Sequence, residues 1–372
     1  MPATPSPVLP DYGGACIDSV AGALLAREAR SWLPESVLGA TQIVLLVLDG
    51  LGWDQLQERL TLAPTLAGMT GGPITSVAPS TTATALTSIA TGLPPSRHGV
   101  VGYRVRVRPA GADGDEVLNV LRWRAGSNDA RETVPPTDFQ RTAAFGGAPV
   151  PAVTRAEFDG SGFTLAHLAG ARFVGWRLAS SVAVEVRAAL AEGAPFVYAY
   201  YDGIDRVAHA HGLGAHYEAE VTAADRVVAD VLDALPAGAA LVVTADHGQV
   251  EVGKSVVHLD PDILAACSLL SGEGRFRWLH AIGDADELAA EVARQYGDVA
   301  WIATRDTLVA DGWFGGPLTP AAAERMGDVA IVPHAPVAFV DPADVGELFL
   351  VSRHGSLTSA EMYVPLLVSA LR

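Results

Sequence analysis

The chain has 372 residues, 49% of them hydrophobic, and a formal net charge of −17. Length and apolar content exclude a disordered chain and are enough for one large α/β domain, while the acidic balance excludes the basic stripe that general nucleic-acid binding needs. A small anionic substrate stays compatible, because bound divalent cations reverse a local field.

Along the chain, residues 1–14 form a Pro-rich lead-in with no basic n-region and no apolar h-region, so no signal peptide is expected. No apolar run reaches the roughly 18 residues of a membrane span, and the expected location is the cytoplasm. A helical pattern covers 15–32, and the run Gln42–Leu48 has the continuous Val, Ile and Leu of a parallel strand buried on both faces. Similar runs at 196–201 and 240–244, with shorter ones at 328–332, 336–340 and 348–352, alternate with helical periodicity at 180–190, 216–235 and 285–295. That alternation predicts an α/β fold, a doubly wound and mostly parallel central sheet flanked by helices within one catalytic domain, 1–372. Residues 103–160, rich in Gly, Pro, Asp and Arg, are expected to leave the sheet and cover the active-site mouth; 259–345 are expected to form a small inserted subdomain. Cys16 and Cys267 are isolated, without CxxC spacing, and are expected to be core residues.

The chemistry concentrates where strands end. Asp49 follows the first buried strand, and Asp246 and His247 follow the run at 240–244; open α/β sheets bind ligands at such carboxyl ends. Asp205 and His209, spaced i, i+4, share one face of a helix, and His354 lies after the last short strand run. Any one of these also fits a cap or a core role. Together, three carboxylates and three imidazoles with one hydroxyl supply two divalent ions and a nucleophile reaching toward them. The hydroxyl lies in Ser80-Thr81-Thr82-Ala83-Thr84, at an expected helix start where amides and dipole favour anionic oxygen; sequence physics leaves Ser80, Thr81, Thr82 and Thr84 open. Without thiolates the donor set suits zinc and also admits manganese.

These segments in this order resemble the alkaline phosphatase superfamily, and within it the type I phosphodiesterase/nucleotide pyrophosphatase branch. The matching pieces are strand-Asp49, Thr82 ten residues before Gly92, RHGVVGY, Asp205-xxx-His209-xx-Gly212, Asp246-His247-Gly248 and His354-Gly355. The resemblance implies one zinc on Asp205, His209 and His354 and a second on Asp49, Asp246, His247 and the Thr82 hydroxyl. It implies that Thr82 attacks phosphorus in line and that the phosphothreonine is then hydrolysed. The implied substrate is a small phosphorylated molecule, a nucleotide among the candidates, with diesters or pyrophosphates preferred; phosphomonoesterase and phosphonate hydrolase activities are the alternatives in the same superfamily. Tyr103 stands where that branch carries an Asn that binds a phosphoryl oxygen, and its phenol also offers one donor.

A rival from another class is a P-loop nucleotide-binding protein, since Gly248 to Ser255 satisfies GxxxxGK[ST]. It requires a helix directly after Ser255, and Val256-Val257-His258 followed by Pro261 does not read as one.

Overall fold

The apolar run Gln42–Leu48 lies at the centre of a seven-stranded sheet in the computed structural model, which describes residues 5–344 and 349–369. It pairs in parallel with Phe196–Tyr201 on one side and with Ala239–Thr244 on the other. All three strands are buried almost throughout, which is why they read as unbroken hydrophobic runs. Outward from Phe196–Tyr201, Pro151–Arg155 and Arg172–Trp176 continue in parallel. On the far side Tyr363–Val368 runs antiparallel to Ala239–Thr244 and pairs with the edge strand Thr70–Thr75. Pro365 is tolerated there because it faces Pro73 of the edge strand and lies beyond the residues paired with Ala239–Thr244. Helices Ile17–Ala26, Thr82–Thr91, Val182–Ala191, Gly203–His211 and Ala215–Ala234 accompany the sheet.

Several sequence expectations change in extent. The helical pattern at 15–32 forms a helix only over Ile17–Ala26, which Arg27 ends in a left-handed conformation. The excursion expected over 103–160 stops short of Pro151, because Pro151–Arg155 is a strand of the central sheet. What leaves the sheet is a small antiparallel sheet of Arg104–Val107, Glu116–Asn119, Arg124–Ala125 and Asn128–Asp129, with its following loop.

Within 259–345, of which 345 lies outside the described residues, Cys267–Glu273, Phe276–Ala281, Val329–Pro333 and Ala300–Thr304 form a separate four-stranded sheet. With helix Ala285–Tyr296 it encloses a second apolar cluster that includes Leu279, Val292, Ile331 and Phe339. Of the strand expected at 348–352, residue 348 lies outside the described residues, and the strand present is Ser352–Arg353. No helix among the described residues is long and apolar enough to cross a membrane.

The GxxxxGK[ST] segment is not a P-loop. Val250–Glu251 pairs with Ser352–Arg353, and Val256–His258 is a strand beside Ala338–Val340. The next helix begins only at Pro261, after that strand, so no helix N-terminus directly after Ser255 presents amides to a phosphate and that alternative is set aside.

Candidate active site

The three central parallel strands end side by side, and each delivers an acidic residue within a few positions of its carboxyl end. Asp49 directly follows Gln42–Leu48, with its amide on the Tyr201 carbonyl (2.9 Å); the Asp205 amide in turn bonds the Asp49 carbonyl (3.1 Å). Gly50 permits this approach. Its φ is +76°, and a Cβ there would lie 2.8 Å from Gln249 Nε2 and 2.9 Å from the Asp205 Cβ. Asp205 and His209 lie one turn apart on helix Gly203–His211, and Asp246 and His247 follow Ala239–Thr244. His354 arrives just after the strand Ser352–Arg353.

Each imidazole is oriented by its Nδ1. His209 Nδ1 faces the Ser352 carbonyl at 2.7 Å, His354 Nδ1 the Ser80 carbonyl at 3.0 Å, and His247 Nδ1 the Gly248 carbonyl at 3.0 Å. A carbonyl only accepts, so each Nδ1 is the donor in its bond and each Nε2 is left facing the carboxylates. The Nε2 of His209 and of His354 lie 3.3 and 3.7 Å from Asp205 Oδ1. His247 Nε2 lies 3.4 Å from both Asp49 Oδ1 and Asp246 Oδ2, and 3.0 Å from Thr82 Oγ1.

Asp49 Oδ1 and Asp246 Oδ2 are buried and have no hydrogen-bond partner among the described residues. Their opposite oxygens are satisfied: the Tyr200 hydroxyl donates to Asp49 Oδ2, and the amides of Gly50 and His247 donate to Asp246 Oδ1 at 3.0 Å each. Burial, and then the neighbouring Asp246 and Asp205, hold the Asp49 carboxyl well above the ordinary carboxylate range. Burial likewise raises Asp246. Burial, and then His247 and His209, push His354 well below the usual imidazole value. Orphaned carboxylate oxygens beside inward-facing imidazole Nε2 atoms suit a bound cation. Two groups of ligand atoms each lie within 4.8 Å of one another, Asp205 with His209 and His354, and Asp49 with Asp205 and His247. The residues present fit two adjacent divalent ions with oxygen and imidazole ligands.

Among the candidate hydroxyls, Thr82 reaches the constellation. It is the first residue of the ten-residue helix Thr82–Thr91, with Thr81 as the extended cap, and its Oγ1 meets His247 Nε2. The Ser80 hydroxyl is instead spent on the Ser356 carbonyl (2.7 Å).

Tyr103 lines a cavity of about 540 Å³ that also contains Thr82, Asp205, His209 and His354. Its hydroxyl accepts from Asn119 Nδ2 at 2.6 Å, a partner from another strand that no sequence spacing announces. Asp202 ion-pairs with Arg155 (3.2 Å) and Arg206 (3.7 Å), whereas Gln249 Nε2 donates to Asp205 Oδ1 at 2.6 Å. His211 and His216 stack on each other with ring centres 4.1 Å apart. Trp123 is buried with its indole N–H on the Val134 carbonyl. Tyr200, Gln249, Asn119 and Arg122 are the site-lining residues that sequence reasoning missed. Only Gln249, three residues beyond Asp246, sat close enough to a motif to be suspected.

Residues 43–357 match a family model described as type I phosphodiesterase/nucleotide pyrophosphatase. Among solved structures, an inactive variant of murine ectonucleotide pyrophosphatase/phosphodiesterase 5 in complex with AMP is similar over 88% of this chain and 87% of that chain, with a TM-score of 0.65 and 13% identity. Phosphonoacetate hydrolase from Sinorhizobium meliloti 1021 in complex with phosphonoformate is similar over 89% of this chain and 90% of that chain, with a TM-score of 0.59 and 20% identity. At such identities the likeness is one of fold. No curated protein matches the sequence.

Proposed function

The chain belongs to the type I phosphodiesterase/nucleotide pyrophosphatase family, and from that premise we propose a metal-dependent hydrolase of phosphodiester or nucleotide pyrophosphate bonds that uses Thr82 as its nucleophile. The observation that carries the proposal is the position of Thr82 Oγ1, at a helix N-terminus and 3.0 Å from His247 Nε2, next to the unpartnered Asp49 and Asp246 oxygens. The fold neighbours were solved with AMP and with phosphonoformate, and a small phosphorylated ligand is the substrate class proposed here.

Asp205, His209 and His354 would hold one divalent ion; Asp49, Asp246 and His247, with the Thr82 hydroxyl, would hold the other. When bound, the ions supply Lewis-acid stabilisation of the entering and leaving oxygens. Thr82 Oγ1 forms a bond to phosphorus as the bond to the first alcohol or phosphate breaks, giving a phosphothreonine. Water then displaces Thr82 in a second in-line step. The amides at the start of Thr82–Thr91 and the N-terminal end of that helix's dipole favour the anionic oxygens. Tyr103 is the neutral donor for a phosphoryl oxygen, and a neutral donor suits a diester better than a dianionic monoester.

The test is turnover of bis- and mono-p-nitrophenyl phosphate by zinc-loaded protein. A diester advantage in kcat/KM supports the proposal. A monoester advantage of about tenfold or more moves the protein to the phosphomonoesterase side.

A further inference from the structure

Two cavities meet at Thr82. One, of about 540 Å³, is walled by Leu86, Phe158, Phe163 and Leu168. The other, also about 540 Å³, is walled by Tyr103, Arg104, Asn119 and Arg124. Thr82, Asp205, Leu121 and Arg122 line both, so Leu121 and Arg122 stand between two chambers that share the candidate nucleophile.

The chambers differ in chemistry. In the first, His167 stacks on Phe163 with ring centres 4.0 Å apart and its Nδ1 donates to the Phe163 carbonyl. Burial lowers its pKa to about 4, so it is a neutral, largely apolar wall at pH 7. The cations at that chamber's rim are already matched, Arg155 by Asp202 and Glu157 and Arg206 by Asp202. In the second chamber Arg104 is held by Asp341 (2.6 Å) and Asp344 (3.3 Å), and the Arg124 guanidinium turns to the Ser127 carbonyl. Arg122 is different. Its backbone N–H is fastened to Asn119 Oδ1 at 3.0 Å, while its exposed guanidinium has no carboxylate within ion-pair reach among the described residues. Where Asp and Glu outnumber Lys and Arg by 42 to 25, an unpaired arginine lining both cavities that contain the nucleophile is a conspicuous opening for an anion. One guanidinium fork matches one carboxylate.

Building on the phosphodiesterase reading, we propose that the substrate is an asymmetric phosphodiester. An apolar aryl or alkyl arm enters the Leu86/Phe163 chamber, and an arm ending in a carboxylate enters the second chamber and pairs with Arg122. The phosphorus lies at the seam, at Thr82.

Three diesters with alkoxide leaving groups test this on zinc-loaded protein, with the released alcohols followed by chromatography: 2-phenylethyl 2-carboxyethyl phosphate, 2-phenylethyl propyl phosphate and ethyl 2-carboxyethyl phosphate. Wild-type kcat/KM is expected to favour the first over each of the others by tenfold or more. Arg122→Ala should collapse the preference over the propyl ester and leave the preference over the ethyl ester. Leu86→Trp, which fills the apolar chamber, should do the reverse, and Phe163→Ala provides a second probe of that chamber if the tryptophan variant misfolds. Wild-type ratios near one, or variants that move both ratios together, would overturn the two-chamber assignment while leaving the phosphodiesterase reading intact. Failure of metal-loaded wild type to hydrolyse any of the three, or bis-p-nitrophenyl phosphate, would instead remove the reading beneath it.

Discussion

Replacing Asp49 by asparagine tests whether the buried carboxylates are built for cations. Without metal, Asp49 Oδ1 has no hydrogen-bond partner and lies 3.4 Å from His247 Nε2. The amide of Asp49→Asn can accept from Tyr200 as the carboxyl does and donate toward His247 Nε2, and it carries no charge for burial, Asp246 and Asp205 to disfavour. One net hydrogen bond in place of an unsatisfied acceptor stabilises by about 1–2 kcal/mol. At roughly 2.1 cal/mol/K per residue over 372 residues, 1 kcal/mol moves Tm by only ~1.3 °C, so the metal-free variant should melt ~1–3 °C above wild type. Zinc should reverse the order. A site filled at 100 times its Kd contributes about 2.7 kcal/mol, so the variant should lose ~3–4 °C of the zinc-induced increase while keeping the part from Asp205, His209 and His354. Calorimetry in chelator and in excess zinc measures both terms. An Asp49→Asn protein that melts below wild type in chelator and keeps the whole zinc increase would refute the reasoning.

Three further outcomes follow from the geometry. Thr82→Ala should lower turnover of an activated diester by about 1,000-fold or more, with zinc content nearly unchanged because Asp49, Asp246 and His247 remain; Thr82→Ser should recover part of the rate, both read by kinetics beside metal analysis. Burial lowers the pKa of His98 to about 3 and that of His167 to about 4, so below pH 6.5 the unfolded chain binds protons that the folded chain refuses. Each should therefore remove about 2 kcal/mol of stability between neutral pH and pH 5, with the loss continuing until the folded pKa values are reached; urea unfolding at pH 7 and pH 5 should show a smaller difference in the His98→Gln/His167→Gln double variant than in wild type. Glu361→Gln weakens the fully buried, two-pronged pair with Arg275 (2.7 Å on each prong) and the bond from the Ser356 amide just past His354. Leaving Arg275 uncompensated should cost about 3–5 kcal/mol in denaturant unfolding and weaken zinc binding at the Asp205, His209 and His354 group; wild-type stability with unaltered zinc affinity would contradict that role.

The central strands were legible because burial on both faces writes itself as Val, Ile and Leu runs, and Gln42–Leu48 and Phe196–Tyr201 have the bounds expected from sequence. Thr70–Thr75 escaped because Thr-Gly-Gly-Pro reads as a turn, and an edge position is what lets it pair at all. Pro151–Arg155 was hidden at the end of a polar, Gly-rich stretch that periodicity assigns to a loop. At the candidate site, Asp49, Asp246 and His247 could be found because strand ends carry local signatures, and the i, i+4 spacing marked Asp205 and His209. Choosing Thr82 over Ser80 needed either a family resemblance or the tertiary contact that commits the Ser80 hydroxyl to Ser356. Asn119 and Arg122 were beyond sequence reasoning, since their relation to Thr82 is created by a small sheet folding back over the strand ends.

The central claim, covalent catalysis by Thr82, is tested most directly by the stereochemical course at phosphorus. Zinc-loaded protein hydrolyses a single diastereomer of a chiral phosphorothioate diester in isotopically labelled water, and the configuration of the product is determined by phosphorus NMR. Each in-line displacement inverts phosphorus, so attack by Thr82 followed by attack of water predicts net retention. Net inversion would mean that water attacks the substrate directly, and would contradict the account.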